Sequence, residues 1–240
     1  MRNMADSISI PDINAPGSFQ DINGVKTHIC ETGAGTPLIL IHGFMGTYFD
    51  WRRNIPELAR HFAVIAFDLP GFGYSNKPVD FPYTADGYAS FLVDLMNKLN
   101  INKAILVGNS LGEIILSMTS TTAVRYMLGH ILKNKSSVTG DIVSYYYNVY
   151  KTANARNIPP AVIRNVAVNE IEITARLKEI YCPVLIVWGA EDNVIPVSYA
   201  HMFKRSILNS SLLIIDEAGH LPQIDKAESV NQAVRDFLRV

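Results

Sequence analysis

Short apolar runs that do not alternate recur along the chain: "PLILI" at 37–41, "AVIAF" at 63–67, "AILV" at 104–107, "VLIVW" at 184–188 and "LLII" at 212–215. Each is too short to stand as a helix and is bounded by turn residues, the pattern of strands covered on both faces. Segments with helical spacing lie between them, at 51–60, 84–99, 198–203 and 227–238, the last with Val230, Val234, Phe237 and Leu238 on one stripe. Strand and helix therefore alternate, which predicts an α/β fold with a mostly parallel wound sheet flanked by helices. Upstream, "FQDINGVKTHICE" carries an Asn23-Gly24 turn between two strand-like runs, so the sheet is expected to begin with an antiparallel hairpin.

Residues 117–179 break this rhythm. They hold helical patches such as "AVRYMLGHIL" and "DIVSYYYNVYKT" but no apolar run of strand type bounded by turn signals. The expected organisation is a core of residues 1–116 and 180–240 with a helical cap at 117–179.

A length of 240 residues with 48% hydrophobic and 18% charged residues suits one domain with a sizeable core. The net charge of -1, with no basic run longer than Arg52-Arg53, gives a nucleic-acid partner no electrostatic basis. No segment has the build of a signal peptide or the ~20 apolar residues of a membrane span, so no membrane partner and a cytoplasmic address are expected. Cys30 and Cys182 match no metal spacing and read as free thiols. The six histidines form neither H-x-x-H nor H-E-x-x-H, so neither a metal nor any other cofactor is expected.

Chemistry enters with "ILVGNSLGEII" at 105–115, where an apolar run stops at a serine flanked by glycines. A serine is a weak nucleophile unless a base takes its proton and donors hold the oxyanion that its attack creates. A strand-to-helix turn with Gly108 and Gly112 would project Ser110 above the sheet edge and offer the Leu111 N–H as one oxyanion donor. The glycine-bearing "HGFMG" after the run at 37–41 can bring a second, from Phe44, while His42 reads as a structural imidazole. Asp192 follows the run at 184–188 and His220 follows that at 212–215. Ser110, Asp192 and His220 thus occur in the chain order of a hydrolase triad, with His220 as base and Asp192 as its orienting acid. Glu191 and Asp216 are the acids most easily confused with Asp192. Phe44, Met45, Trp51 and Tyr146, within the "YYY" run at 145–147, are candidates to line the substrate pocket.

With "LILIHGFMGT", "VIAFDLPGFGYSNKP", "AILVGNSLG", "CPVLIVWGAEDNVIP" and "EAGHLPQ" in place, the sequence resembles an α/β-hydrolase of the capped, esterase-like branch. The resemblance spans roughly residues 19–116 and 180–240. It implies a nucleophile elbow at Ser110, an acid at Asp192, a base at His220, oxyanion donors from Phe44 and Leu111, and a structural role for the "DLPGFGYS" turn. Relatives with an aspartate nucleophile, the haloalkane dehalogenases and epoxide hydrolases, are unlike this chain.

Two departures from the pattern stand out. Glu113 occupies a place where the family has a small residue, and "GEIILSM" passes almost directly into "TSTTAVRYMLGHIL" where relatives have a helix and a further central strand. A segment of roughly 30 to 40 residues is missing against the usual extent of helix, strand and loop. Three outcomes are open: the neighbouring strands pair directly, the insertion supplies a substitute strand, or a second chain fills the edge as a homodimer. A short cap also implies a more open site with weaker selectivity for long acyl chains. The functional expectation is a serine esterase acting on short-chain carboxylic esters, with a small-molecule ester as its partner. The alternatives are a C–C bond hydrolase, a hydroxynitrile lyase, or a low-turnover ligand-binding protein on the same fold.

Overall fold

The computed structural model describes residues 17–110, 121–152, 155, 158–160, 162 and 176–240. The chain opens with the hairpin β1 (Ser18–Ile22) and β2 (Val25–Thr32), antiparallel and joined at Asn23-Gly24, both with positive φ. Next come β3 (Pro37–Ile41), a 3-10 turn (Tyr48–Trp51), the short helix α1 (Ile55–Leu58), β4 (Ala63–Phe67), α2 (Ala85–Lys98) and β5 (Ile105–Gly108). β3 pairs in parallel with β4 on one side and β5 on the other, whereas β2 pairs antiparallel with β4. The resulting order is β1-β2-β4-β3-β5. Leu38, Ile39 and Leu40 of the central β3 are fully buried, as its uninterrupted apolar run requires.

Helix α2 shows how local signals set the boundaries. Thr84 has extended backbone and its hydroxyl accepts the Gly87 N–H at 3.1 Å, Asp86 sits in the first turn and Lys98 in the last. Its Phe91 and Leu95 are the side chains committed to the core.

Beyond β5 the described residues form α3 (Thr121–Ile131) and α4 (Gly140–Val149), then β6 (Val184–Gly189), α5 (Ser198–Ser206), β7 (Ser210–Ile215), α6 (Pro222–Asp225) and α7 (Ala227–Leu238). β6 and β7 pair in parallel as a separate two-stranded sheet. Among the described residues β5 and β6 share no ladder, and the stretch that follows Ser110, where the missing segment would lie, is outside them. The run at 104–107 also departs from a strand covered on both faces. Its Leu106 is 53% exposed, so that face of the strand is left open, and β5 is also the edge of its sheet among the described residues. No strand appears among the described residues of the 117–179 insertion, and none of the described helices is long and apolar enough to cross a membrane.

One buried acid organises the end of the sheet nearest the candidate site. Asp68, just past β4, is fully buried; its Oδ1 accepts the Tyr48 N–H at 2.7 Å and its Oδ2 accepts the Tyr74 N–H at 2.9 Å and the His28 Nδ1–H at 3.0 Å. The Ser75 hydroxyl closes the same knot, donating to Asp68 O at 2.6 Å while accepting the His28 N–H at 2.9 Å. Removing the carboxylate leaves buried donors unpaired. Asp68→Ala is expected to lower unfolding free energy by about 3–5 kcal/mol, read as a lower urea midpoint at unchanged slope.

Candidate active site

Ser110 follows β5 by two residues and adopts φ 21°, a region that a side chain occupies only when its surroundings fix it. Asn109 N–H donates to Ile41 O at 3.1 Å, extending the β3–β5 ladder one step and holding the turn against the loop after β3. The glycine that this approach needs is in that neighbouring loop. A Cβ on Gly43 would lie 2.4 Å from Ser110 O and 2.9 Å from Asn109 O, whereas one on Gly108 would meet nothing within 4 Å.

His220 lies in the loop after β7, with Nε2 2.8 Å from Ser110 Oγ and Nδ1 2.9 Å from Asp192 Oδ2. An ionised carboxylate can only accept, so Nδ1 carries the proton and Nε2 is left to accept from the serine hydroxyl. Asp192 is held in turn: its Oδ1 accepts the N–H groups of Val194 at 2.8 Å and Ile195 at 2.9 Å. Burial pushes its pKa up, but the His220 bond and these backbone donors outweigh burial and hold the carboxyl below the usual carboxylate range. The rival acids are elsewhere. Glu191 forms an ion pair with Lys133, and Asp216 is exposed.

Two contacts that position His220 were not read from sequence. Asp225, in α6, accepts Gly219 N–H and Lys133 N–H at 2.9 Å on Oδ2 and Asn134 N–H at 2.9 Å on Oδ1, and His220 N–H donates to Ile131 O at 3.0 Å. These bonds tie the His220 loop to the end of α3. The available signal was an acid at the end of "GHLPQID", inside a stretch too apolar for an idle carboxylate. In addition, Gly189 at the end of β6 lets the loop pass, since a Cβ there would stand 2.2 Å from Gly219 O.

The remaining expectations divide. Phe44, Met45 and Tyr146 line a cavity of about 50 Å³ beside Ser110 and His220. Trp51 does not line it. Its side chain is 2% exposed within the core, so its assignment to the substrate pocket is corrected: the 3-10 turn rolls the indole inward with Tyr48 and Phe49. Of the three consecutive tyrosines, Tyr145 stacks on Phe49 at 4.2 Å between centroids and only Tyr146 reaches the cavity. His42 is structural: Nε2 accepts the Leu69 N–H at 2.9 Å and Nδ1 donates to Gly43 O at 2.7 Å. Leu111 and Glu113 lie outside the described residues. A second cavity of about 810 Å³ runs along β6 beside Val187 and Trp188 and also reaches Ser110, Asp192 and His220. Among the described residues no cluster of His, Cys, Asp and Glu could hold a metal.

Comparison with known proteins agrees with this architecture. The model of the alpha/beta hydrolase fold matches residues 36–119, and that of a TAP-like protein matches residues 164–240. The chain has the α/β-hydrolase fold. It is 29% identical over 280 positions to 2-hydroxy-6-oxo-6-(2'-aminophenyl)hexa-2,4-dienoic acid hydrolase of Metapseudomonas resinovorans, covering 99% of this chain and 96% of the relative. It is 27% identical to 2-hydroxymuconate semialdehyde hydrolase of Pseudomonas sp. (strain CF600), covering 94% and 97%. A solved serine hydrolase involved in carbazole degradation superposes with a TM-score of 0.82 at 26% identity, over 92% of this chain and 98% of that one. This α/β-hydrolase is a serine hydrolase of the fold family. An alignment of 280 positions exceeds the 240 residues of the chain, so the relative holds positions with no counterpart here.

Two outcomes follow from the geometry. Gly43→Ala is expected to push the Ser110 turn aside and to lower hydrolytic turnover by about a hundredfold, with circular dichroism unchanged. Because the Asp192 pKa is depressed on folding, its contribution to stability is present above the unfolded value near ~3.9 and is lost as pH falls through the folded value. The difference in urea midpoint between wild type and Asp192→Asn should therefore hold from about pH 8 to about pH 5 and shrink below about pH 4.

Proposed function

We propose that the protein hydrolyses short-chain carboxylic esters through an acyl-enzyme. The observation that carries this reading is the continuous pair of hydrogen bonds from Ser110 Oγ through His220 to Asp192, at 2.8 and 2.9 Å. Ser110 Oγ attacks the ester carbonyl carbon as its proton passes to His220 Nε2, and the carbonyl oxygen becomes an oxyanion facing the turn that carries Phe44. The tetrahedral adduct collapses, the C–O bond to the alcohol breaks, and His220 returns the proton to the leaving oxygen. Water then repeats the sequence on the acyl-enzyme, giving the carboxylic acid and free Ser110. Asp192 stays ionised and holds the imidazole in the tautomer that accepts from serine.

Size supports short acyl groups. A water-sized probe needs on the order of 10–15 Å³ of such volume, so the cavity of about 50 Å³ by Met45 and Tyr146 admits only a few non-hydrogen atoms. The wider cavity along β6 receives the alcohol side.

A second reading, hydrolysis of a C–C bond beside a ketone, is favoured by the two relatives named for a semialdehyde and a dienoic acid. The two are separated by comparing p-nitrophenyl acetate, butyrate and octanoate with a vinylogous diketone. Ester turnover should fall from butyrate to octanoate and vanish in Ser110→Ala. A diketone preference above about tenfold would instead assign the C–C reaction. Asp192→Asn should cost about 10⁴ in kcat by releasing the tautomer in which His220 Nε2 accepts from the serine.

A further inference from the structure

The cavity beside Ser110 contains an ionisable group that the hydrolytic steps do not use. Asp50 is 3% exposed and lines that cavity together with Met45, Tyr146, Ser110 and His220. Its Oδ1 accepts the Tyr146 hydroxyl, and its Oδ2 accepts the Thr47 N–H at 3.3 Å as half of a capping box on the 3-10 turn. The same oxygen packs against Gly46, where a Cβ would stand 2.3 Å from it. Burial pushes the Asp50 pKa up, opposed by His42, by the Tyr146 and Thr47 donors and by Arg52; both groups that bond it donate, the arrangement that suits the ionised form. Arg52, whose charge favours the ionised form, makes no ion pair with it: its guanidinium donates to Phe49 O at 3.1 Å and lies 4.7 Å over the Phe49 ring. Among the described residues Asp50 has no ion-pair partner.

A carboxylate so placed acts on whatever enters the cavity. The space is too small to admit a screening layer of water beside a bound acyl group, and a second negative charge held there would face Asp50 at low effective dielectric. Retaining an unpaired buried acid costs stability, so its presence at the wall of a reactive pocket calls for a gain in discrimination.

We infer that Asp50 is a specificity-determining residue that admits neutral acyl groups and excludes those bearing a carboxylate. It does so by charge rather than size, since a carboxylate and a methyl at the end of a four-carbon acyl chain differ little in length. This deepens the ester-hydrolase reading above. The exclusion extends to any substrate whose acyl half carries an acid.

The test pairs p-nitrophenyl butyrate with mono-p-nitrophenyl succinate, corrected for spontaneous hydrolysis. In wild type, kcat/KM for the butyrate should exceed that for the succinate by at least about a hundredfold, and Asp50→Asn should shrink that ratio by about tenfold or more. Tyr146→Phe keeps the charge and should keep the discrimination, whereas a purely structural role for the pair would depress both substrates alike. A wild-type ratio near one, or a ratio the same in wild type and Asp50→Asn, would overturn the assignment. If neither ester is turned over, the esterase reading fails separately. The exclusion is then read by NMR titration of Ser110→Ala and Ser110→Ala/Asp50→Asn with methyl butyrate and monomethyl succinate. Selective gain of monomethyl succinate binding in the double variant sustains the inference, and equal affinities in both proteins end it.

Discussion

One buried carboxylate fixes the carboxyl end of the five-stranded sheet. Asp68 takes N–H donors from the 3-10 turn at Tyr48, from Tyr74 and from the ring of His28 on β2. These groups lie far apart in sequence, and a buried charge tolerates little freedom in the donors that solvate it. The loops after β3 and β4 are thus referred to one point. His42 transmits that reference to the glycine turn, because its ring joins Leu69 N–H, next to Asp68, to the carbonyl of Gly43. The turn carrying Phe44 inherits its place from an acid that never meets a substrate.

The candidate site is assembled across a break. Ser110 belongs to the end of the five-stranded sheet, whereas Asp192 and His220 follow the two strands of the other. Among the described residues no ladder joins β5 to β6, and the contacts that align serine with histidine there lie in loops. These are Gly43 against the Ser110 carbonyl, Gly189 against Gly219, and Asp225 binding the His220 loop to the end of α3. Each is a close backbone approach or a buried charge-assisted bond, and such contacts hold geometry to the fraction of an ångström that proton transfer demands.

Much of this was legible in the sequence because it is written in local period and local backbone demand. The strand at 37–41 is a continuous apolar run because the sheet centre has no solvent face, and α2 starts where Thr84 can cap it. Ser110, Asp192 and His220 were nameable because each directly follows a strand, where a parallel sheet collects its loops. Trp51 was misplaced for the opposite reason: an aromatic beside a glycine turn can face a pocket or the core, and only the folded chain shows this one buried with Tyr48 and Phe49 of the same 3-10 turn. Asp50 and Asp225 went unread because an isolated acid has no periodicity to betray its burial.

The sequence by itself determined the element order, the hairpin at the start, the parallel wound sheet and the three side chains of the candidate site, since each follows from hydrophobic period or turn chemistry within a few residues. Only the tertiary structure decided that β5 and β6 share no ladder among the described residues, that Tyr146 and not Trp51 walls the cavity, and that a carboxyl group stands at its edge. Those outcomes depend on which distant surfaces meet, and the burial of a side chain is a property of all its neighbours together.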